Sequence, residues 1–160
     1  MTDREGSLLA RVATYQFGPG ADDALFPSIA DLTVTHTSSG RPRQVLDGED
    51  RLLEYGSDGR FTLGIAGGRR LLASLDTPRH HVVVGSESEP FVREGRNAFA
   101  KFVQAADENI RPGDEVLVVH ADGDLLAVGR AELPGPAMLD FETGMAVTVR
   151  HGAGPADDEA

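Results

Sequence analysis

The spacing of apolar residues changes period twice along the chain. Leu8, Leu9, Val12 and Tyr15 recur at near-helical intervals behind Ser7, a suitable cap, and predict a helix over 6–17. Gly18-Pro19-Gly20 stops it. A short second helix follows, with Asp22 and Asp23 in its first turn, where the helix dipole favours acid, and it ends before Pro27. The period then falls to two. Residues 31–36 alternate and are rich in β-branched side chains, which predicts a strand. A second strand over 41–46 is restricted by Pro42 to a sheet edge. Turns at 47–50 and 57–59 lead into strands at 51–55 and 60–65, and 66–73 closes this half as a short helix.

The second half is richer in strands. They are predicted at 80–84, 97–103, 115–120, 124–130 and 146–150, with 121–123 closing the clearest hairpin. Ser88 caps a short helix that starts at Glu89-Pro90-Phe91 and stops at Gly95, and 137–141 forms a helical turn after Pro134-Gly135-Pro136. Short strands separated by turns and two small helices predict a β-barrel. The whole reads as an α+β chain: a small α/β domain over 1–77, a barrel domain over 78–152, and a disordered acidic tail over 153–160.

Composition narrows the function classes. The 160 residues carry 26 acidic and 15 basic side chains, a net charge of −11, with 40% hydrophobic residues, which suits a folded domain. The absence of cysteine excludes disulfides, thiolate metal sites and cysteine nucleophiles. No apolar run is long enough for a membrane span, and the N-terminus lacks the features of a secretion signal, so the expected location is cytoplasmic. The acid is distributed and lysine is almost absent, a pattern expected of a halophilic cytoplasm in which carboxylates keep proteins hydrated. In concentrated salt, long-range repulsion is screened and net charge says little about partners.

Against this background one stretch stands out. Residues 91–103 gather Arg93, Gly95, Arg96, Asn97, three phenylalanines and Lys101, the single lysine of the sequence. Gly95 either ends a helix or lets a nucleic-acid backbone approach where a Cβ would obstruct it. Arg96 and Lys101 suit phosphates, and Asn97 suits sugar or base edges. Phe91, Phe99 and Phe102 are suited to stacking, but a small barrel with few aromatics needs them as core fillers, and that is the expectation here. Arg41 and Arg43 lie two apart and would share a strand face, either as a second phosphate clamp or as partners for the abundant carboxylates. The five histidines show no metal-binding spacing, and Gly18-Pro19-Gly20 lacks the lysine of a phosphate loop, so neither a metal nor a cofactor is expected.

Residues 80–152 resemble a PUA domain. The resemblance is carried by Pro90-Phe91-Val92-Arg93-Glu94-Gly95-Arg96-Asn97, Phe99 to Val103, Ile110-Arg111-Pro112-Gly113-Asp114, Ala127-Val128-Gly129-Arg130-Ala131 and Gly144 to Arg150. Upstream, Tyr15-Gln16-Phe17-Gly18, Ala24-Leu25-Phe26-Pro27, Ser39 to Arg43 and Asp58 to Leu63 resemble the domain that precedes PUA in archaeal tRNA-guanine transglycosylases. The resemblance implies an RNA-binding pseudobarrel whose RNA face runs from Arg93 to Lys101, with Arg130, Arg41 and Arg43 as further contacts. It implies tRNA as partner, recognised through its stem and 3′ end. The catalytic barrel of those enzymes has no counterpart in the sequence, so the chain is expected to be non-catalytic, an accessory to a tRNA-modifying enzyme. The alternative is a protein-interaction subunit docked on such an enzyme. The oligomeric state is left open.

Overall fold

The first helix, α1 (Asp3–Phe17), starts earlier than the apolar spacing predicts because Thr2 supplies the cap. The Thr2 hydroxyl accepts the Glu5 N–H at 3.1 Å and the Glu5 carboxylate accepts the Thr2 N–H at 3.3 Å, a reciprocal capping box. The buried stripe also differs from the expected one. Gly6, Leu9, Ala13 and Phe17 face the core, whereas Tyr15 is 95% exposed and Leu8 points outward. The computed structural model describes residues 1–74 and 79–156.

The chain divides into two units, Met1–Thr77 and Pro78–Ala160. The expected junction falls within 75–78, outside the described residues. In the first unit, α2 (Ala21–Leu25) and a 3-10 turn lead into four antiparallel strands in sequential order: β1 (Leu32–His36), β2 (Pro42–Asp47), β3 (Asp50–Tyr55) and β4 (Phe61–Leu63). The expectation that Pro42 confines its strand to an edge is overturned. β2 lies between β1 and β3, and Pro42 is tolerated because it is the first residue of the strand. Helix α3 (Ile65–Ser74) packs closely against β3; a Cβ on Gly67 would stand 2.0 Å from the Leu52 carbonyl oxygen. Gln16 ties α1 to β4 by donating to and accepting from the backbone of Phe61 at 2.9 and 2.7 Å. Leu9, Phe17, Leu25, Leu52 and Phe61 fill the core between these elements.

The second unit is a six-stranded sheet curled into a nearly closed barrel, in the order β6-β10-β9-β8-β5-β7. Its strands are β5 (His81–Val84), β6 (Ala98–Phe99), β7 (Val103–Ala106), β8 (Glu115–His120), β9 (Leu125–Ala131) and β10 (Met145–Gly152). Among the described residues only the β5–β8 pairing of this sheet is parallel. The single strand expected over 97–103 is broken by a 3-10 turn, Ala100–Phe102, so that β6 and β7 belong to opposite edges of the sheet. The two short helices are α4 (Glu89–Arg93) and α5 (Gly135–Asp140). Val82, Val84, Val116, Val118, Leu126 and Met138 fill the barrel. A two-pronged ion pair from Arg150 satisfies Glu115, which is buried. Of the tail expected from residue 153, Ala153 and Gly154 donate backbone hydrogen bonds to Leu126 and Arg93 carbonyls, and 157–160 lie outside the described residues. Among the described residues no helix is long and apolar enough to cross a membrane.

His80 and His81 open this unit. His80 holds a left-handed backbone (φ 60°) and its N–H donates to Asp107 at 2.8 Å. Burial pushes both imidazoles below their ordinary range, against the attraction of Asp107. Both therefore take up protons at lower pH in the folded state than in the unfolded chain, where they do so near pH 6.5. Stability from this source is fully present above that pH and is lost as pH falls through the depressed folded values. Thermal melts should show the barrel losing stability between pH 7.5 and 5.5, by at most about 1.4 kcal/mol per pH unit for each histidine. In the His80→Asn/His81→Gln variant this acid sensitivity should be reduced, Asn being a residue that tolerates the left-handed backbone.

Candidate nucleic-acid interface

The candidate surface begins at α4. Ser88 stands at its N-cap position, but its side chain makes no capping hydrogen bond; its carbonyl instead accepts the N–H groups of Phe91 and Val92. The helix ends because Gly95 takes a left-handed backbone (φ 101°), which lets Arg96 N–H return to the Phe91 carbonyl at 3.0 Å. A Cβ on Gly95 would point into open space. The next residue fastens the turn to the barrel: Asn97 Oδ1 accepts the Val149 N–H at 2.9 Å. Gly152 completes the seat, since a Cβ there would lie 2.2 Å from the Arg93 carbonyl oxygen and 2.7 Å from Gly95 N.

The predicted residues separate into two groups. Arg96 and Lys101 are exposed and each lies beside an aromatic ring, Arg96 at 5.8 Å from the centroid of Phe91 and Lys101 at 5.0 Å from that of Phe102. Gly95 precedes Arg96 and Asn97 follows it, although the Asn97 oxygen is spent on Val149. Arg93 belongs elsewhere. It is 9% exposed, and its guanidinium donates to Glu89 at 3.0 Å and the Gly154 carbonyl at 3.3 Å, with Asp124 at 3.5 Å. Its charge braces α4 against the β8–β9 turn and the end of β10 and is withdrawn from the surface.

Arg130 is exposed but paired with Glu132 at 3.0 Å. A hydrogen bond from Thr148 and then that arginine hold the Glu132 carboxyl below the usual range. In the first unit, Arg41 stacks on Tyr55 at 4.5 Å and donates to the Gly56 carbonyl, so it braces a turn. Arg43 is exposed. The expected clamp of two available guanidinium groups therefore reduces to Arg43.

The phenylalanines reverse the core expectation. Phe91 and Phe99 are 50% and 47% exposed, and Phe102 is half-buried. Phe91 stands in α4, Phe99 ends β6 and Phe102 closes the 3-10 turn at Ala100–Phe102. Phe99, Lys101 and Phe102 line an open concavity of about 370 Å³ whose other wall is Glu142, Thr143 and Gly144. That wall escaped sequence reasoning: it is brought across by the Ala100 N–H bond to the Gly144 carbonyl at 2.9 Å, a pairing no local pattern announces. The surface offers rings, two cations and one carboxylate, a set suited to holding flat, anionic ligands. Among the described residues no three histidine or carboxylate groups gather as a metal site.

This unit combines a short helix, a left-handed glycine turn and a kinked strand closing a six-stranded barrel, and the PUA family model matches residues 80–153. The second unit is thus similar to the PUA domain. More specifically, residues 7–78 match the patch-forming domain C2 of tRNA-guanine transglycosylase, so the two units repeat the order found in the C-terminal region of that enzyme. The chain is 46% identical over 142 residues to the tRNA-guanine(15) transglycosylase of Thermococcus onnurineus, covering 88% of this chain and 24% of the relative. The Pyrococcus furiosus enzyme is 45% identical over 152 residues, 93% of this chain and 25% of the relative. The chain spans about a quarter of the length of these relatives. Among solved structures, a hypothetical protein from Pyrococcus horikoshii matches with a TM-score of 0.75 at 23% identity over 99% of this chain and 96% of its own. A conserved PUA-domain protein from Thermoplasma acidophilum matches at 0.65 and 20% identity over 97% and 93%. These two report the fold.

The seat of the glycine turn makes a specific demand on two positions. Gly152→Ala should lower unfolding free energy by about 1–3 kcal/mol, because its Cβ meets backbone that cannot yield cheaply. It should also shift the backbone amide resonances of Gly95, Arg96 and Asn97. Gly95→Ala should cost only about 1 kcal/mol, the price of the left-handed backbone alone. Chemical denaturation with amide NMR on both variants checks the order.

Proposed function

We propose that the chain is a non-catalytic RNA-binding protein that recognises structured tRNA, through its stem and 3′ end, as an accessory to a tRNA-modifying enzyme of the cytoplasm. The observation that carries this reading is the pairing of two exposed cations with phenylalanine rings, on a surface whose neighbouring arginine is turned inward. Phosphate contact by Arg96 and Lys101, with bases stacking on Phe91, Phe99 or Phe102, uses the cations and rings of that surface. The tandem of a C2 domain and a PUA domain supports tRNA as the RNA, since the relatives that carry it are named tRNA-guanine(15) transglycosylases.

A second reading is favoured by one observation. Leu139 and Phe141, at the end of α5, are 50% and 49% exposed. An apolar pair of this kind suits docking on a separate RNA-modifying enzyme.

Fluorescence anisotropy with folded tRNA in molar potassium chloride separates the two. Binding is expected, and Arg96→Ala and Lys101→Ala should each weaken it about tenfold, the effect of losing one charge-assisted contact. Absence of tRNA binding by the unsubstituted protein, together with co-purification of an enzyme that Phe141→Asp abolishes, would establish the docking reading instead.

A further inference from the structure

The outermost line of α1 is occupied by Arg4, Leu8, Arg11 and Tyr15, spaced by four, three and four residues and therefore stacked on one face. All four are exposed, Tyr15 at 95% and Leu8 at 38%. They stand opposite the buried stripe of Gly6, Leu9, Ala13 and Phe17. A merely solvated helix face in a chain with 26 acids would carry carboxylates. This face carries none. The acids of α1 are Asp3 and Glu5, both in its first turn, and Glu5 is committed to His36 at 2.6 Å.

The arginines matter because others in the protein are used internally. Arg70 is held by Asp47, Arg93 by Glu89, Arg130 by Glu132 and Arg150 by Glu115. Arg4 and Arg11 have no ion pair among the described residues. Seven helical residues separate them by about 10.5 Å along the axis, and Tyr15 lies about 6 Å further on. Two guanidinium forks in line, followed by an aromatic ring with a hydroxyl, suit backbone phosphates two nucleotides apart and a neighbouring 2′-hydroxyl or base.

We infer that this face of α1 is a second RNA-binding surface, with Arg4 and Arg11 on backbone phosphates and Tyr15 on sugar or base. The inference rests on the RNA-binding reading of the PUA surface and extends it to the C2 unit. It places the contact on α1, away from Arg41, whose guanidinium is spent on Gly56 and Tyr55.

The test compares the full chain with Arg4→Gln/Arg11→Gln and with Tyr15→Ala, using folded tRNA over a range of potassium chloride. These side chains are exposed, and unchanged circular-dichroism melts confirm the fold. The arginine variant should bind at least tenfold more weakly, and the slope of log affinity against log salt should fall by roughly 1.4–1.8, the loss of two phosphate contacts. Tyr15→Ala should weaken binding with little change in that slope. Unchanged affinity and slope in both variants, with Arg96→Ala still impaired, would overturn the α1 surface and leave the PUA reading standing; a protein partner would then be the occupant to seek. Failure of the unsubstituted protein to bind would overturn both.

Discussion

Ala100 is buried, and its N–H bond to the Gly144 carbonyl fixes the point at which one run of chain passes from one edge of the six-stranded sheet to the other. β6 pairs with β10, and β7, three residues later, pairs with β5. An unbroken strand would have stayed on one edge and left the other unpaired, with its backbone groups exposed. The 3-10 turn avoids this and closes the sheet. The same turn sets the surface chemistry. It carries Lys101 and Phe102 and follows directly on Phe99. Phe99 is about half exposed and Phe102 half-buried. The candidate interface is built on the barrel's closure, so its geometry is as firm as the fold.

The neighbouring turn is held in a similar way by backbone contacts. Gly152 lies against Arg93 and Gly95 with no room for a side chain, and the Asn97 oxygen holds the turn to Val149. Arg93 then ties α4 to Glu89, Asp124 and the Gly154 carbonyl. A buried arginine with three acceptors positions the surface without belonging to it, because its desolvation is compensated only where those acceptors are fixed.

Much of the fold was legible in the sequence, since the change from helical to alternating spacing marks elements that local physics favours. The hairpin of β8 and β9 and both short helices of the second unit follow from turn residues and apolar runs. The face of α1 was not legible. Its buried stripe is made of Gly6, Leu9, Ala13 and Phe17, two of them too small to register as hydrophobic, whereas Leu8 and Tyr15 supply a conspicuous apolar signal on the opposite side. Pro42 suggested an edge because proline lacks a donor, but that rule relaxes at the first residue of a strand. At the candidate site, spacing identified the stretch and the lone lysine. It did not distinguish Arg93 from Arg96, because which arginine meets a carboxylate depends on Asp124 and Gly154, distant in sequence. Nor did it reveal Glu142 to Gly144 as the facing wall.

Ion pairing also bears on how a chain of net charge −11 would hold a polyanion. Net charge governs approach at long range, where salt screens it; in about 1 M salt the screening length is near 3 Å. At contact, what counts is which cations remain available after folding. Arg70, Arg93, Arg130 and Arg150 are matched with carboxylates inside their own units, so they add little to an outward field. Arg96 and Lys101 instead lie beside rings, which attract a cation without neutralising it. A surface with few free charges releases few counterions on binding RNA, so its affinity depends less on salt than that of a strongly basic protein. What it forgoes in electrostatic affinity must come from stacking and from hydrogen bonds to sugar and base, contacts that report the shape of an RNA as well as its charge. On the proposed RNA-binding reading, sparse cations on an acidic body would favour selective recognition of a folded RNA over general adhesion to nucleic acid.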